Sequence, residues 1–381
     1  MTNDQNEKPN ILFLFSDTGG GHRSSAEAVI EAINLEYPNQ ICTEMVDIFG
    51  EYAPYPFDLA LHTYSTQMAF PSIYGLGYRI SNGRRRTRLF YNMVWPYVRP
   101  AIQRLLEEHP CDLIVSVHSL LHAPVLRAVN GKVPFIIVVT DLVTTHAAWY
   151  QGRADMTILP TEAALQRGLK LGLPQEKMEY IGLPIADRFC SYSCDKQEAR
   201  RKLGWPTDVP IILMVGGGAG IGPLDKTAYA IDDARFPTFT VIVTGRNHRM
   251  KKRMEKHRWK TPVNICGFVS EMPDYMCAAD ILVTKAGPSS ICEAFISGLP
   301  IILYSRIPGQ EDGNVDFVVN EGAGVWTPEP EQVVETVRTW LEQPEERAKV
   351  AAACKRLARP RASRDIADLL ASRVGIAPRK K

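Results

Sequence analysis

Two short apolar runs, each leading straight into a glycine cluster, constrain this chain more than any other feature. Ile11-Leu12-Phe13-Leu14-Phe15 runs into Ser16-Asp17-Thr18-Gly19-Gly20-Gly21-His22, and Ile211-Ile212-Leu213-Met214-Val215 runs into Gly216-Gly217-Gly218-Ala219-Gly220-Ile221-Gly222. A five-residue run without alternation reads as a strand buried on both faces, and such strands belong to parallel sheets. Glycines at its C-terminal end read as the tight strand-to-helix turn of a βα unit, and the first cluster is followed by an amphipathic helix from about Ser24 to Glu36. Neither cluster is a Walker loop, because no Gly-Lys-Ser/Thr follows, and neither has the acidic partner of a dinucleotide fingerprint.

Further buried runs extend both arrays. Leu113 to Val117 and Phe135 to Thr140 continue the first; Phe239 to Thr244, Ile281 to Thr284 and Ile301 to Tyr304 continue the second. With 381 residues, 45% of them hydrophobic, the chain can fill two cores of ~100 to 200 residues each. The expected fold is therefore α/β, with two Rossmann-like doubly wound domains facing across a cleft, the first over residues 1–195 and the second over 196–360. Ligands of such sheets collect at the C-terminal strand ends, where both glycine clusters lie.

The segment from Lys285 to Asn314, KAGPSSICEAFISGLPIILYSRIPGQEDGN, has the parts needed to hold a nucleotide sugar. A turn through Gly287 opens a helix at Ser289 and Ser290, whose first-turn amides and positive dipole end favour a phosphate. Glu293, one turn in, can accept hydrogen bonds from both hydroxyls of a ribose. Beyond the next strand, Gln310 and Glu311 suit the hydroxyls of a hexose. An ordinary αβ unit with capping serines would carry any one of these residues, but less readily the ordered set.

Composition excludes several classes. A net charge of +2 gives no ground for a general nucleic-acid binder, and eight cysteines without a C-x-x-C pair read as reduced thiols. The polar start MTNDQNEKPN is not a signal peptide, and no apolar run approaches the ~20 residues of a membrane span. Membrane contact is then expected to be peripheral, and a basic aromatic segment supports it. Between Asp58 and Glu107 there is no acidic residue, while Arg79, Arg84, Arg85, Arg86, Arg88, Arg99 and Arg104 alternate with Tyr64, Phe70, Tyr74, Tyr78, Phe90, Tyr91, Trp95 and Tyr97. Arginines among aromatics are an interfacial signature; single-stranded nucleic acid would want the same composition, and a core of aromatics with solvated arginines is the plainer alternative.

SDTGGGHRSSAEAV at 16–29, VVTDLVTTHAAWY at 138–150, LPTEAALQRGLKLGL at 159–173, GLPI at 182–185, GGGAGIGPL at 216–224 and KAGPSSICEAF through IPGQEDGN at 285–314 together resemble the monogalactosyldiacylglycerol synthases. With the related diacylglycerol glucosyltransferases these belong to glycosyltransferase family 28. The resemblance implies a GT-B fold, with the lipid acceptor on the first domain and the UDP-sugar on the second. It also implies inverting transfer of a hexose from a UDP-sugar to 1,2-diacylglycerol, giving a β-linked glycolipid, without a catalytic metal or other cofactor; galactose is favoured. ARPRASRDIADLL at 358–370 matches the family's terminal helix, so residues 361–381 are expected to pack back on the first domain. Ser289-Ser290 stands where plant-type sequences tend to have Gly-Thr, a departure at the diphosphate turn.

Displacement at an anomeric carbon needs a base for the acceptor hydroxyl and stabilisation of the departing diphosphate. His22 ends the first glycine cluster and corresponds to the family's proposed base. Asp17 is a candidate to orient it, Asp141 a reserve base or orienting group, and Gly20, Gly21 and His146 acceptor-side contacts. His118 and His122 have the i, i+4 spacing of a zinc pair but no evident third ligand, and are expected to line or support the site. The amides of Gly217, Gly218 and Gly220 join those at Ser289 and Ser290 on the diphosphate, with Lys285, Arg246, Asn247, Phe268 and Asn314 on the rest of the UDP-sugar. Arg84, Arg85, Arg86, Arg88, Phe90 and Trp95 are the candidate dock for an anionic membrane, with anionic lipid a candidate activator. The expected location is cytoplasmic, at the face of the cytoplasmic membrane. A UDP-glucose-dependent, processive enzyme is the runner-up; a UDP-sugar 2-epimerase or a non-catalytic UDP-sugar sensor belongs to other classes.

Overall fold

The computed structural model describes residues 8–17, 20–55, 71–218, 220 and 222–378. Thr18, Gly19, Ala219 and Ile221 of the glycine clusters, and Tyr64 and Phe70 of the acid-free segment, lie outside them. The chain divides into two units: Met1–Asp187 with Arg361–Lys381, and Arg188–Pro360. The boundary falls ahead of residue 195 because the segment after Asp187 is tied to the second unit, by Tyr192 donating to Asp274 and by a disulfide between Cys194 and Cys277. That disulfide corrects the expectation of eight reduced thiols.

The first unit is a six-stranded parallel sheet in the order β2-β1-β3-β4-β5-β6. Its strands are β1 Asn10–Phe15, β2 Cys42–Asp47, β3 Leu113–Ser116, β4 Phe135–Val138, β5 Met156–Leu159 and β6 Met178–Tyr180. Successive side chains of a strand go to opposite faces, so a run such as Ile11 to Phe15 is fully apolar only if both faces are covered. They are. Ile11, Phe13 and Phe15 pack with Val29, Ile33, Ile366 and Leu370, whereas Leu12 and Leu14 pack with Ile102, Leu105, Val125 and Trp149. The helix Gly20–Glu36 and the last helix, Ala362–Arg373, cover the first face; Arg84–Glu108 and His122–Val129 cover the second. The last helix is pinned by Tyr37 donating to Asp368, Ser363 donating to the carbonyl of Ile185, and Arg364 paired with Asp187.

The second unit is another six-stranded parallel sheet, ordered β12-β11-β10-β7-β8-β9. Its strands are β7 Ile211–Val215, β8 Phe239–Val243, β9 Val263–Cys266, β10 Ile281–Lys285, β11 Ile301–Ser305 and β12 Gly324–Trp326. Counted from its own first strand, this order reads 6-5-4-1-2-3, the doubly wound dinucleotide-binding arrangement, with its switch point between β7 and β10. In the first sheet the order reverses between β1 and β3. At these two switch points the sequence candidates gather.

Candidate functional site

At the switch point of the first sheet, His22 lies in the first turn of the helix Gly20–Glu36, which begins four residues ahead of the expected Ser24 and takes Gly20 and Gly21 into its start. Its Nδ1 lies 2.9 Å from the carbonyl oxygen of Val117 and 2.8 Å from Oγ1 of Thr140. A carbonyl can only accept, so Nδ1 carries the hydrogen and Nε2 is the basic nitrogen. Burial lowers the His22 pKa to about 4, with the Val117 bond opposing; the imidazole is neutral at pH 7. The groups on the ring thus come from the ends of β3 and β4, not from Asp17. Asp17 instead takes both ends of the Arg23 guanidinium at 2.7 and 2.6 Å, an exposed pair that draws it towards the helix surface.

His118 packs edge-on to His22 with ring centroids 4.6 Å apart. His122 places Nδ1 3.3 Å from the carbonyl of Ala148 and packs at a tilt against Trp149, ring centroids 5.1 Å apart. Burial lowers the pKa of both, that of His122 to about 3. Asp141 is buried and accepts from Trp149 Nε1 at 2.6 Å. The Trp149 ring is 6.3 Å from that of His22, so Asp141 is linked to His22 through the indole. His146 holds neighbouring segments in position. Its Nδ1 accepts from the amide of Ala148 at 3.1 Å, and its Nε2 is 3.2 Å from Ser81 Oγ, at the end of the helix Pro71–Ser81.

The arginine cluster opens the helix Arg84–Glu108. Arg84 donates to the carbonyl of Leu171 and Arg86 to that of Ile80, at 2.9 and 2.8 Å; these two brace local structure. Arg85, Arg88 and Phe90 are exposed. Trp95, also a dock candidate, packs instead against the unit's core beneath Arg127, 4.6 Å from its ring.

At the switch point of the second sheet the glycine loop fits closely around its neighbours. Gly220 has φ +61°, and a Cβ there would meet the carbonyl oxygen of Thr244 at 2.2 Å and Asn247 at 2.6 Å; only glycine can occupy it. Its amide donates to the carbonyl of Gly217 at 3.0 Å, so Gly220 shapes the loop and does not offer its N–H to a phosphate. Asn247 likewise donates to the carbonyl of Gly220 and accepts from the amide of Met250, both at 2.9 Å, which makes it a loop clasp and helix cap. Arg246 lies 5.3 Å from the ring of Phe268, which is 62% exposed. Gly218 is open on its Cβ side.

A register shift between Thr284 and Lys285 pairs Lys285 with Ser305. The lysine arm then lies on Gly217, where a Cβ would be 2.9 Å from Lys285 Cε, and its ammonium bonds Glu311 at 2.9 Å. The second oxygen of Glu311 accepts from the amide of Ile307 at 2.7 Å; this carboxylate holds the loop and Lys285 in place rather than standing open to a sugar. Asn314 is buried and donates to the carbonyl of Ala286 at 2.9 Å, bracing the turn before Gly287. From Gly287 the helix Pro288–Ser297 begins, with Ser289 and Ser290 in its first turn and Glu293 one turn in. Burial raises the Glu293 carboxyl to about 7, opposed by the nearby Arg188 guanidinium.

Val117, Thr140, Trp149 and Arg188 were not among the sequence candidates. A carbonyl has no letter of its own, and Arg188 is distant from Glu293 in the chain. The WY ending of VVTDLVTTHAAWY was the one available signal for Trp149.

Residues 22–185 match the family model of monogalactosyldiacylglycerol (MGDG) synthase, and residues 195–356 that of glycosyl transferases group 1. Over 345 residues the chain is 35% identical to a probable monogalactosyldiacylglycerol synthase 2, chloroplastic, of Oryza sativa subsp. indica, covering 87% of this chain and 73% of that protein. Over 369 residues it is 34% identical to monogalactosyldiacylglycerol synthase 3, chloroplastic, of Arabidopsis thaliana, covering 93% and 79%. The Acinetobacter baumannii MurG structure matches with TM-score 0.62 at 15% identity over 96% of this chain and 99% of that one. A putative UDP-N-acetylglucosamine 2-epimerase from Listeria monocytogenes matches with TM-score 0.64 at 14% identity over 97% of each chain. At these identities the shared property is the fold, GT-B with two Rossmann-like units. The curated relatives are chloroplastic plant proteins, which overturns the expectation of a cytoplasmic protein on a cytoplasmic membrane. Among the described residues no helix is long and apolar enough to cross a membrane.

Proposed function

Because the chain belongs to the monogalactosyldiacylglycerol synthase family, we propose that it transfers galactose from UDP-galactose to the free hydroxyl of 1,2-diacylglycerol, giving a β-monogalactosyldiacylglycerol. The observation that carries the chemistry is the tautomer of His22. With Nδ1 donating to Val117, a neutral Nε2 is kept to take the acceptor proton. The acceptor oxygen forms a bond to the anomeric carbon as the bond from that carbon to the diphosphate oxygen breaks, which inverts the configuration. The proton goes to His22 and the electron pair leaves with UDP. The amides of Gly217 and Gly218, and those at Ser289 and Ser290 in the first turn of their helix, receive the growing charge. Lys285 lies against the same loop, Glu293 takes the ribose hydroxyls, and Arg246 with the exposed Phe268 forms the platform for the base. Gly20 and Gly21 leave the approach to His22 free of side chains. Asp141 supports the imidazole through Trp149, and His146 holds the acceptor-side loop.

The acceptor is a lipid, so the enzyme docks peripherally. Arg85 and Arg88, with exposed Leu89, Phe90 and Met93 on the same helix, are suited to an anionic surface. The reading is tested with the purified protein and liposomes containing diacylglycerol, supplied with UDP-galactose, UDP-glucose or UDP-N-acetylglucosamine in turn. The expected result is UDP release and β-galactolipid from UDP-galactose, lowered ~10²-fold or more by His22→Ala with UDP binding kept. Product from UDP-glucose alone would assign the runner-up activity. Turnover of His22→Ala within a few-fold of the parent would move the base to another residue.

A further inference from the structure

Tyr304 is the next-to-last residue of β11 and has its ring in the core of the second unit with Met214 and Leu224. It is 2% exposed, and its hydroxyl has no hydrogen-bond partner. A phenol buried this way loses the hydration of its hydroxyl and regains nothing, which phenylalanine would avoid. The hydroxyl is directed under the second glycine loop. A Cβ placed on Gly222 would stand 3.6 Å from Tyr304 Oη, 3.4 Å from Ser305 Oγ and 3.7 Å from Ser305 Cβ, so a space of about one atom is bounded there by two hydroxyls. On the neighbouring strand the pairs Ile302 with Val325 and Leu303 with Trp326 place Thr327 next in line beside Tyr304. Its amide donates to the carbonyl of Leu303 at 2.9 Å, and its buried Oγ1 also has no partner. The unmet Tyr304 hydroxyl therefore lies at the C-terminal end of its sheet, where sheets of this kind receive their ligands.

We propose that the Tyr304 hydroxyl is a donor-substrate contact that hydrogen-bonds an oxygen of the hexosyl group, and so reads the sugar rather than the nucleotide. The inference rests on the donor reading of the second unit given above. Its assignment to the sugar follows from position and chemistry. The amides placed on the diphosphate belong to Gly217, Gly218, Ser289 and Ser290, whereas the Tyr304 hydroxyl lies against Gly222, past Gly217 and Gly218 along the loop, beside Ser305 Oγ. A neutral hydroxyl matches a polyol better than it matches an anion. Burial, with the carboxylates of Asp225 and Glu311 nearby, raises the phenol's pKa and keeps it a proton donor throughout the working range.

The test is calorimetric titration of the parent chain and Tyr304→Phe with UDP and with UDP-galactose. The expected result is UDP affinity unchanged within twofold and UDP-galactose affinity about fivefold weaker, the scale of one neutral hydrogen bond. The variant's melting temperature should be equal to or above the parent's, since only an unmet hydroxyl is removed. Unchanged affinity for both ligands would overturn the proposal, and so would an equal loss for both, which would put the hydroxyl on the nucleotide or its loop. Parent protein that binds UDP-galactose yet forms no lipid product overturns the transferase reading while leaving this comparison decisive. Parent protein that binds neither nucleotide overturns both.

Discussion

Glu293 and Arg188 illustrate how far a single position can be read in advance. Its place one turn into the helix Pro288–Ser297 is visible in the sequence; its acidity is not, because burial raises it and an arginine from far back in the chain opposes the rise. Only the ionised carboxylate can accept from both ribose hydroxyls, so donor affinity should climb as the pH passes through about 7. UDP is a poor probe of this, since its terminal phosphate titrates near pH ~6; the diphosphate diester of UDP-galactose does not. If only the ionised form binds, UDP-galactose affinity rises up to roughly tenfold between pH 6 and 8, by the ordinary titration of a group near 7. Glu293→Gln should give a flat profile, and an unchanged slope in that variant would take the carboxyl off the ribose. The groups holding His22 were illegible for a different reason: one is a backbone carbonyl, and Thr140 reaches the ring only because β3 and β4 are adjacent in the sheet.

Among the elements, the long unalternating strands were legible because both faces of each are buried. The edge strand β2, half exposed, and the three-residue strands β6 and β12 carry too few residues of either pattern to stand out. The helix Arg84–Glu108 mixes the two cases. Tyr91, Ile102 and Leu105 face inward, whereas Leu89, Met93 and Tyr97, four residues apart, remain 72%, 71% and 59% exposed. From composition alone Trp95 was indistinguishable from Phe90, since arginines surround both. The docking face is best tested through Arg85 and Arg88, because Arg84 and Arg86 also brace carbonyls. Each basic residue near an anionic surface contributes on the order of 1 kcal/mol. Arg85→Ser with Arg88→Ser should therefore weaken binding to vesicles containing phosphatidylglycerol by roughly ten- to thirtyfold, and added salt should act on the parent in the same direction. UDP affinity should stay as it was. Equal recovery of parent and double variant in vesicle flotation would reject this helix as the dock.

At the scale of the whole molecule, the two glycine clusters announced two sheets, but the disulfide between Cys194 and Cys277 could not be deduced from scattered cysteines. The path of the chain has a further consequence. It leaves the first unit at Asp187 and re-enters at Arg361, and these exits are neighbours: Arg364 pairs with Asp187 at 2.7 Å and Ser363 donates to Ile185 at 2.7 Å. The second unit is thus an insertion within the first. A fragment ending at residue 187 lacks Ile366, Ala367, Leu370 and Ala371, all fully buried in its core, and should aggregate or melt without cooperativity. Excising residues 188–360 and joining the two ends by a short glycine linker should restore a cooperative transition, seen by circular dichroism, in a protein half the size. If the bare fragment melts as cooperatively as the spliced one, the terminal helix is dispensable; if not, the first unit is a folded body only once the helix Ala362–Arg373 has joined it.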